Sequence, residues 1–184
     1  PYLCLGVDIT TNKLWWFKGG ISISFFWGNT LKHNKTVLHS VNPFLELTTI
    51  WIYDQIRSLR RYRPIVITQK IRNQEIFPLS SIYSEESLPR WKRTIHRIIR
   101  KIRGTYIGYS KLLKQEQVKV IHAHFGQEGY RCLETRRVSS VPMITAFYGM
   151  DLSVLPKQRI WKKRFKRLFK EGDLFLAEGN YMKA

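Results

Sequence analysis

From Thr36 onward, short runs of β-branched and other apolar residues alternate with longer stretches in which apolar positions recur every third or fourth residue. A short apolar run suits a buried strand, and the wider spacing puts one apolar stripe on a helix. Their alternation predicts βαβ units around a parallel sheet. The expected strands are TVLHSV (36–41), PIVITQ (64–69), VKVIHAH (118–124), PMITAF (142–147) and DLFLAE (173–178), with helices near 46–62, 88–115, 127–138 and 157–170. The fold class is α/β: a doubly wound, mostly parallel Rossmann-like sheet with helices on both faces, spanning 36–184. Residues 1–35 show no comparable pattern and read as an irregular lead segment outside the domain. Its aromatics, among them Trp15, Trp16, Phe25 and Trp27, suit a hairpin, a disordered tail or an interfacial anchor. There are no internal repeats and no low-complexity linkers.

Two of the helices are amphipathic and strongly basic. In 88–115, Trp91, Ile95, Ile98, Ile99 and Ile102 form a stripe expected to face the sheet, and Arg90, Lys92, Arg93, Arg97, Arg100, Lys101 and Arg103 cover the rest. In 157–170 the stripe is Trp161, Phe165, Leu168 and Phe169, surrounded by Lys162, Lys163, Lys166, Arg167 and four further basic residues. They contribute to a net charge of +19 over 184 residues, which calls for an anionic partner: nucleic acid, a lipid surface or phosphorylated substrates. The two cysteines, Cys4 and Cys132, make neither a disulfide framework nor a zinc knuckle, so a cytoplasmic setting is expected. The longest apolar stretch, 14–27, is too short to span a bilayer and is interrupted by Lys18, Gly19 and Gly20. The chain starts at Pro1 and is expected to be a fragment.

In a parallel sheet the loops leaving the carboxyl ends of the strands share one edge, where ligands bind at the switch point. Two such loops stand out, HFGQ after the third strand and YGMD after the fourth. Gly126 and Gly149 would let backbone approach a ligand, and the amides near Gln127 would favour an anion. His122 and His124 share a strand face. His122 reads as a buried residue hydrogen-bonded beneath the loop or as a substrate contact; His124, at the strand tip, reads as buried or catalytic. No cysteine pair or His-x-x-x-His accompanies them and Asp151 is the sole acid in the neighbouring loop, so no metal is expected. Tyr148 suits the wall of a site, while Asp151 suits either a cap or a catalytic carboxylate. The chain lacks Gly-x-Gly-x-x-Gly, a P-loop, Gly-x-Ser-x-Gly and Asp-x-Asp, which tells against simple dehydrogenases, kinases and hydrolases of those classes.

Taken together and in order, VNPFLELTTIWIYDQIRSLRRYRP, VIHAHFGQEG, PMITAFYGMD and GDLFLAEGNYMK resemble the amino-terminal half of retaining family 4 glycosyltransferases of the GT-B type, from about Thr36 to Ala184. The resemblance implies transfer of a sugar from a nucleotide-sugar donor to a cell-surface glycan or lipid-linked acceptor. In that family this half holds the acceptor, and a second domain with a paired-glutamate motif, absent from this chain, holds the donor. It implies no cofactor, and site residues at Tyr148, His124 and Asp151 (catalytic) and at His122, Gly126, Gly149, Asn42 and Gln127 (substrate-binding). Two departures stand out. Tyr148 replaces a histidine common in the family, and VNPFLELT lacks the paired glycines that approach the diphosphate, leaving the amides of 42–45. The family's basic helices also suggest a peripheral place on the inner face of the cytoplasmic membrane through Lys162, Lys163, Lys166 and Arg167; solvated charges are the alternative.

Two readings from other classes remain. A basic nucleic-acid-binding domain fits the charge, but no recognised binding motif is present and the charge lies on amphipathic helices rather than among stacking aromatics. A metal-dependent hydrolase would use His122 and His124.

Overall fold

The structure, a computed structural model, describes residues 35–177 with their side chains and, before them, the backbone of three strands, β1 (Cys4–Asp8), β2 (Lys13–Lys18) and β3 (Ile21–Phe26). These pair antiparallel in the order β1-β2-β3, Cys4 opposite Phe17 and Lys13 opposite Phe26. Regular strands thus stand in the lead expected to be irregular. The alternation in ISISFF suits a strand, though the run is short. Trp27 and the closing stretch EGNYMKA lie outside the described residues. Residues 1–32 form a unit separate from 33–184.

The larger unit is built on β4 (Thr36–Ser40), β5 (Arg63–Thr68), β6 (Ile82–Ser84), β7 (Val118–His124), β8 (Met143–Phe147) and β9 (Leu174–Ala177). All six run parallel in the order β6-β5-β4-β7-β8-β9. The chain steps outward from β4 to β6, returns to β7 on the other side of β4 and steps outward again, which is the doubly wound topology expected. Its switch point lies between β4 and β7.

Alternation along the strands feeds two cores. Leu38, Ile65, Ile67 and Ile121 point to one face and pack against Leu113 of α3 (Tyr109–Gln115), Leu133 of α4 (Gly126–Ser139) and Phe165 and Leu168 of α6 (Arg159–Glu171). Val66 points to the other and packs on Ile52, Tyr53 and Ile56 of α1 (Ile50–Arg57), with Val41 and Phe44 beside it. Each such side chain, fully buried, stabilises the fold by about 1.5–3 kcal/mol, so both faces are firmly held.

The stretch expected as one helix at 88–115 is two. α2 (Arg90–Arg103) ends at Gly104, whose φ of +76° no side-chain-bearing residue adopts cheaply, and α3 follows. The break corrects the expected orientation of α2. Its crossover place on the sheet is taken by α3, with Leu113 and the preceding Tyr106 buried, and α2 itself buries no residue. Trp91 is 62% exposed and Ile102 77%, so the stripe faces away from the sheet. Only His96, Ile99 and Arg100 turn inward, the first and last toward the buried Glu85 carboxylate, from which Arg100 Nη1 lies 2.7 Å. Among the described residues no helix is long and apolar enough to cross a membrane.

Candidate functional site

β7 ends at the switch point, and its even-numbered residues face α1. His122 and His124 therefore share that side, as the strand period requires. β4 adds a third imidazole, because its parallel register sets His39 opposite His122. The ring centroids stand 5.2 Å apart for His39 and His122, 4.2 Å for His122 and His124, and 5.3 Å for His39 and His124.

Two hydrogen bonds thread this group. His39 Nδ1 lies 3.0 Å from His124 Nε2, and His124 Nδ1 lies 2.9 Å from the Tyr148 hydroxyl. A neutral imidazole carries one donor and one acceptor, so His124 accepts on one side and donates on the other, and the polarity of the whole chain is set together. Burial keeps the rings neutral. His124 is wholly buried and its pKa is held well below the usual value by that burial, then by His122 and His39. His39 is pushed down to about 3 by burial and then by His122. The pKa of His122 is lowered by burial alone. Of the alternatives the sequence left open, His124 is the buried one and His122 reaches the cleft.

That cleft encloses about 680 Å³ on the α1 side of the sheet's carboxyl edge, within the usual range for a small-molecule site. Tyr148 and His122 line it together with Trp51, Thr48, Thr49 and Gln55. Trp51 and Phe125 meet the Tyr148 ring edge-on at 4.5 and 4.9 Å between centroids, which fixes the phenol in place. A lining that combines aromatic rings with hydroxyl and amide groups suits a ligand that has apolar faces and a polar rim.

Asp151 does not reach the cleft as a catalytic group. It is 2% exposed, and its two carboxylate oxygens accept from the backbone N–H of Gly126 (2.9 Å) and of Tyr148 (3.1 Å). The carboxylate thereby clips the loop after β7 to the loop after β8 and occupies the amide at the start of α4, where the sequence placed an anion. Gly126 is required by packing instead: a Cβ there would lie 2.5 Å from the Phe147 ring and 2.8 Å from the Phe165 ring. Gly149, with φ of +104°, opens the short helix α5 (Met150–Ser153). Gln127 follows on the first turn of α4, its Oε1 buried with no hydrogen-bond partner. Asn42 and its neighbours are also spent on the fold. The Asn42 Oδ1 accepts from the N–H of Gln69 and Lys70, and the Phe44 N–H donates to the Lys70 carbonyl. Lys162, Lys163, Lys166 and Arg167 lie on the exposed side of α6, Arg167 paired with Glu171.

Three contributors escaped the sequence reading: His39, Trp51 and Glu128. Glu128 is 1% exposed and accepts from the Ser40 hydroxyl (2.7 Å) and the Tyr106 hydroxyl (2.8 Å) while pairing with Arg131. It ties β4, α4 and the segment between α2 and α3 beneath the site. The signal for His39 was its position in TVLHS, which matters only once β4 and β7 are neighbours. No family model matches the chain, and no curated protein matches it either.

Proposed function

We propose that this chain is the acceptor-side half of a retaining, metal-independent glycosyltransferase of the GT-B type, taking a glycan or lipid-linked acceptor in the cleft at the switch point. The observation that carries the reading is the hydrogen-bonded chain His39–His124–Tyr148, which runs from the buried sheet to a phenol on the wall of that cleft. In this reading Tyr148 stands where the family it resembles has a histidine, the buried imidazoles orient its hydroxyl toward a sugar oxygen, and Trp51 packs against an apolar sugar face. Thr48, Thr49 and Gln55 supply hydrogen bonds to the acceptor's hydroxyl groups. A nucleotide-sugar donor belongs to a second domain, so turnover by this chain alone is not expected. The same reading places the domain at the inner face of an anionic membrane, with Lys162, Lys163, Lys166 and Arg167 attracting the lipid.

The test is saccharide binding followed by tryptophan fluorescence and by NMR, using a panel of oligosaccharides and glycolipids. Replacing Tyr148 by Phe removes one hydrogen bond, worth about 1 kcal/mol, and lowers affinity about fivefold. A domain that binds no saccharide yet retains RNA at moderate salt refutes the reading in favour of nucleic-acid binding.

One observation favours a second reading. The ligand nitrogens of His39, His122 and His124 lie within 4.8 Å of one another, and Nε2 of both His39 and His122 is buried with no hydrogen-bond partner. Three neutral imidazoles are the donor set of a catalytic zinc site with an open position for water. A zinc ion would take one ring nitrogen of His124 and so displace its hydrogen bond either to His39 or to Tyr148. Elemental analysis tests it: one zinc per chain surviving dialysis supports the metal-dependent reading, and its absence refutes it.

A further inference from the structure

The stripe on α2 has no counterpart to cover it among the described residues. Trp91, Ile95, Ile98 and Ile102 are 62, 44, 50 and 77% exposed. At about 100° per residue they fall within roughly 60° of arc, so they form one continuous ridge. The helix is held to the domain on a different side, by Arg100 and His96 against Glu85, and that anchor fixes which way the ridge points. An apolar ridge held toward water marks a surface that meets an apolar phase.

The charges beside the ridge say which phase. α2 contains no acidic residue; Arg90, Arg93, Arg97 and Lys101 flank the ridge on one side, and Lys92 and Arg103 on the other. Two cavities extend this division. On one side of α2, Lys70, Arg90, Arg93 and Arg97 border a hollow of about 430 Å³ that also holds Glu86 and the Glu85–Arg100 pair, leaving it net basic. On the other, Trp91 and Ile95 with Ile107 and Leu112 wall a mostly apolar groove of about 550 Å³. A second copy of the chain would bring its own +19 charge to the contact, which repels. Nucleic acid matches the charge but makes no use of a row of isoleucines, since its bases stack on aromatic faces.

We infer that α2 is the membrane-docking element of this domain, lying in the interface of an anionic bilayer with its Trp91–Ile102 ridge among the acyl chains and its arginines among the phosphates. α6, named above for the same surface, has Phe165 and Leu168 buried; its exposed Ile160 and Phe169 lie on opposite sides of the helix at about 100° per residue, so it offers charge but no continuous ridge. The inference shares the peripheral placement proposed above and adds the element that inserts. It is independent of what occupies the cleft, whose lining includes no α2 residue, so a Tyr148→Phe chain is expected to dock as well as the unaltered one.

The experiment is sedimentation of the full chain with vesicles of phosphatidylcholine, alone or with 30% phosphatidylglycerol, as a function of lipid concentration. Anionic vesicles are expected to bind it and neutral ones hardly at all. Arg93→Gln with Arg97→Gln lowers the affinity about thirtyfold, two charges at about 1 kcal/mol each. Ile98→Ser with Ile102→Ser lowers it at least tenfold; both side chains are solvent-exposed, so the variant keeps its fold. Lys162→Gln with Lys163→Gln, on a helix that attracts lipid without inserting, lowers it less than the α2 arginine pair does. Brominated acyl chains quench a component of the fluorescence that is lost in Trp91→Phe. The inference is overturned if the ridge variant binds like the unaltered chain, if neutral and anionic vesicles bind equally, or if the α6 variant accounts for the loss. A concentration-dependent dimer dissolved by the ridge variant, with no vesicle binding, assigns the ridge to a second copy and also overturns it. RNA displacing the chain from vesicles while the ridge variant has no effect does the same for nucleic acid.

Discussion

Lowering the pH from 7 to 5 is expected to destabilise this domain through His39 and His124. Both are buried, and in the unfolded chain each takes up a proton near pH 6.5. In the fold, burial and then the neighbouring His122 hold His39 down to about 3, and His124 lies well below its usual value for the same reasons with His39 added. The unfolded state therefore binds more protons than the folded one throughout this window, and stability falls as the pH falls below about 6.5. At pH 5 His39 alone costs about 2 kcal/mol of the roughly 5–15 kcal/mol that holds a domain together, and His124 adds to the loss in the same direction. His122, whose pKa is lowered by burial, shifts stability in the same direction. The paired carboxylates do not confuse the measurement. Glu116, Glu134, Glu171 and Asp173 are each held low, chiefly by a hydrogen bond from Tyr83 for Glu116 and from an arginine for the others. Their contribution is fully present above about pH 4.5 and is lost only below it. Urea unfolding followed by circular dichroism at pH 7, 6 and 5 gives the slope directly. A His39→Gln variant should show a smaller slope. An unchanged midpoint at pH 5, or a His39→Gln variant with the full slope, refutes the argument.

Further outcomes follow from packing and pairing. Gly126→Ala drives a methyl into the rings of Phe147 and Phe165 and should cost about 1–3 kcal/mol, read as a fall of several degrees in Tm. Glu128→Gln leaves the half-buried Arg131 without its carboxylate and should cost about 1.5–3 kcal/mol in urea unfolding, partly recovered by Arg131→Met in the same chain. Asp151→Ala strips the acceptor from the buried amide of Gly126 and the part-buried amide of Tyr148; hydrogen exchange should accelerate at both together, with about 1–3 kcal/mol lost at Gly126.

The sheet was legible because its strands are short and apolar between turn residues. β7 runs over 118–124, as the run VKVIHAH suggests, and β4, β5, β8 and β9 fall within a residue or so of their expected bounds. β6 was missed because a three-residue edge strand, IYS, carries too little pattern to register. Helical spacing revealed the ridge on α2 but not its partner: periodicity reports that one face is apolar, and only the competing claim of α3 on the sheet decides that the face points outward. The pairing of His124 with Tyr148 was legible from two adjacent strand tips. His39 was not, because strands 82 residues apart become neighbours only through the crossover order, while Asp151 offered a carboxylate whose use depends on which amides stand nearby.

The clip formed by Asp151 determines how the cleft can behave. Because one carboxylate grips the backbone at Gly126 and at Tyr148, the two rims of the opening are stapled and travel as a single body. A guest entering between them need not freeze a floppy loop, so little of its binding energy is lost to ordering the host. Selection among guests then rests on fit to a ready-made mouth rather than on a rim that folds over whatever arrives.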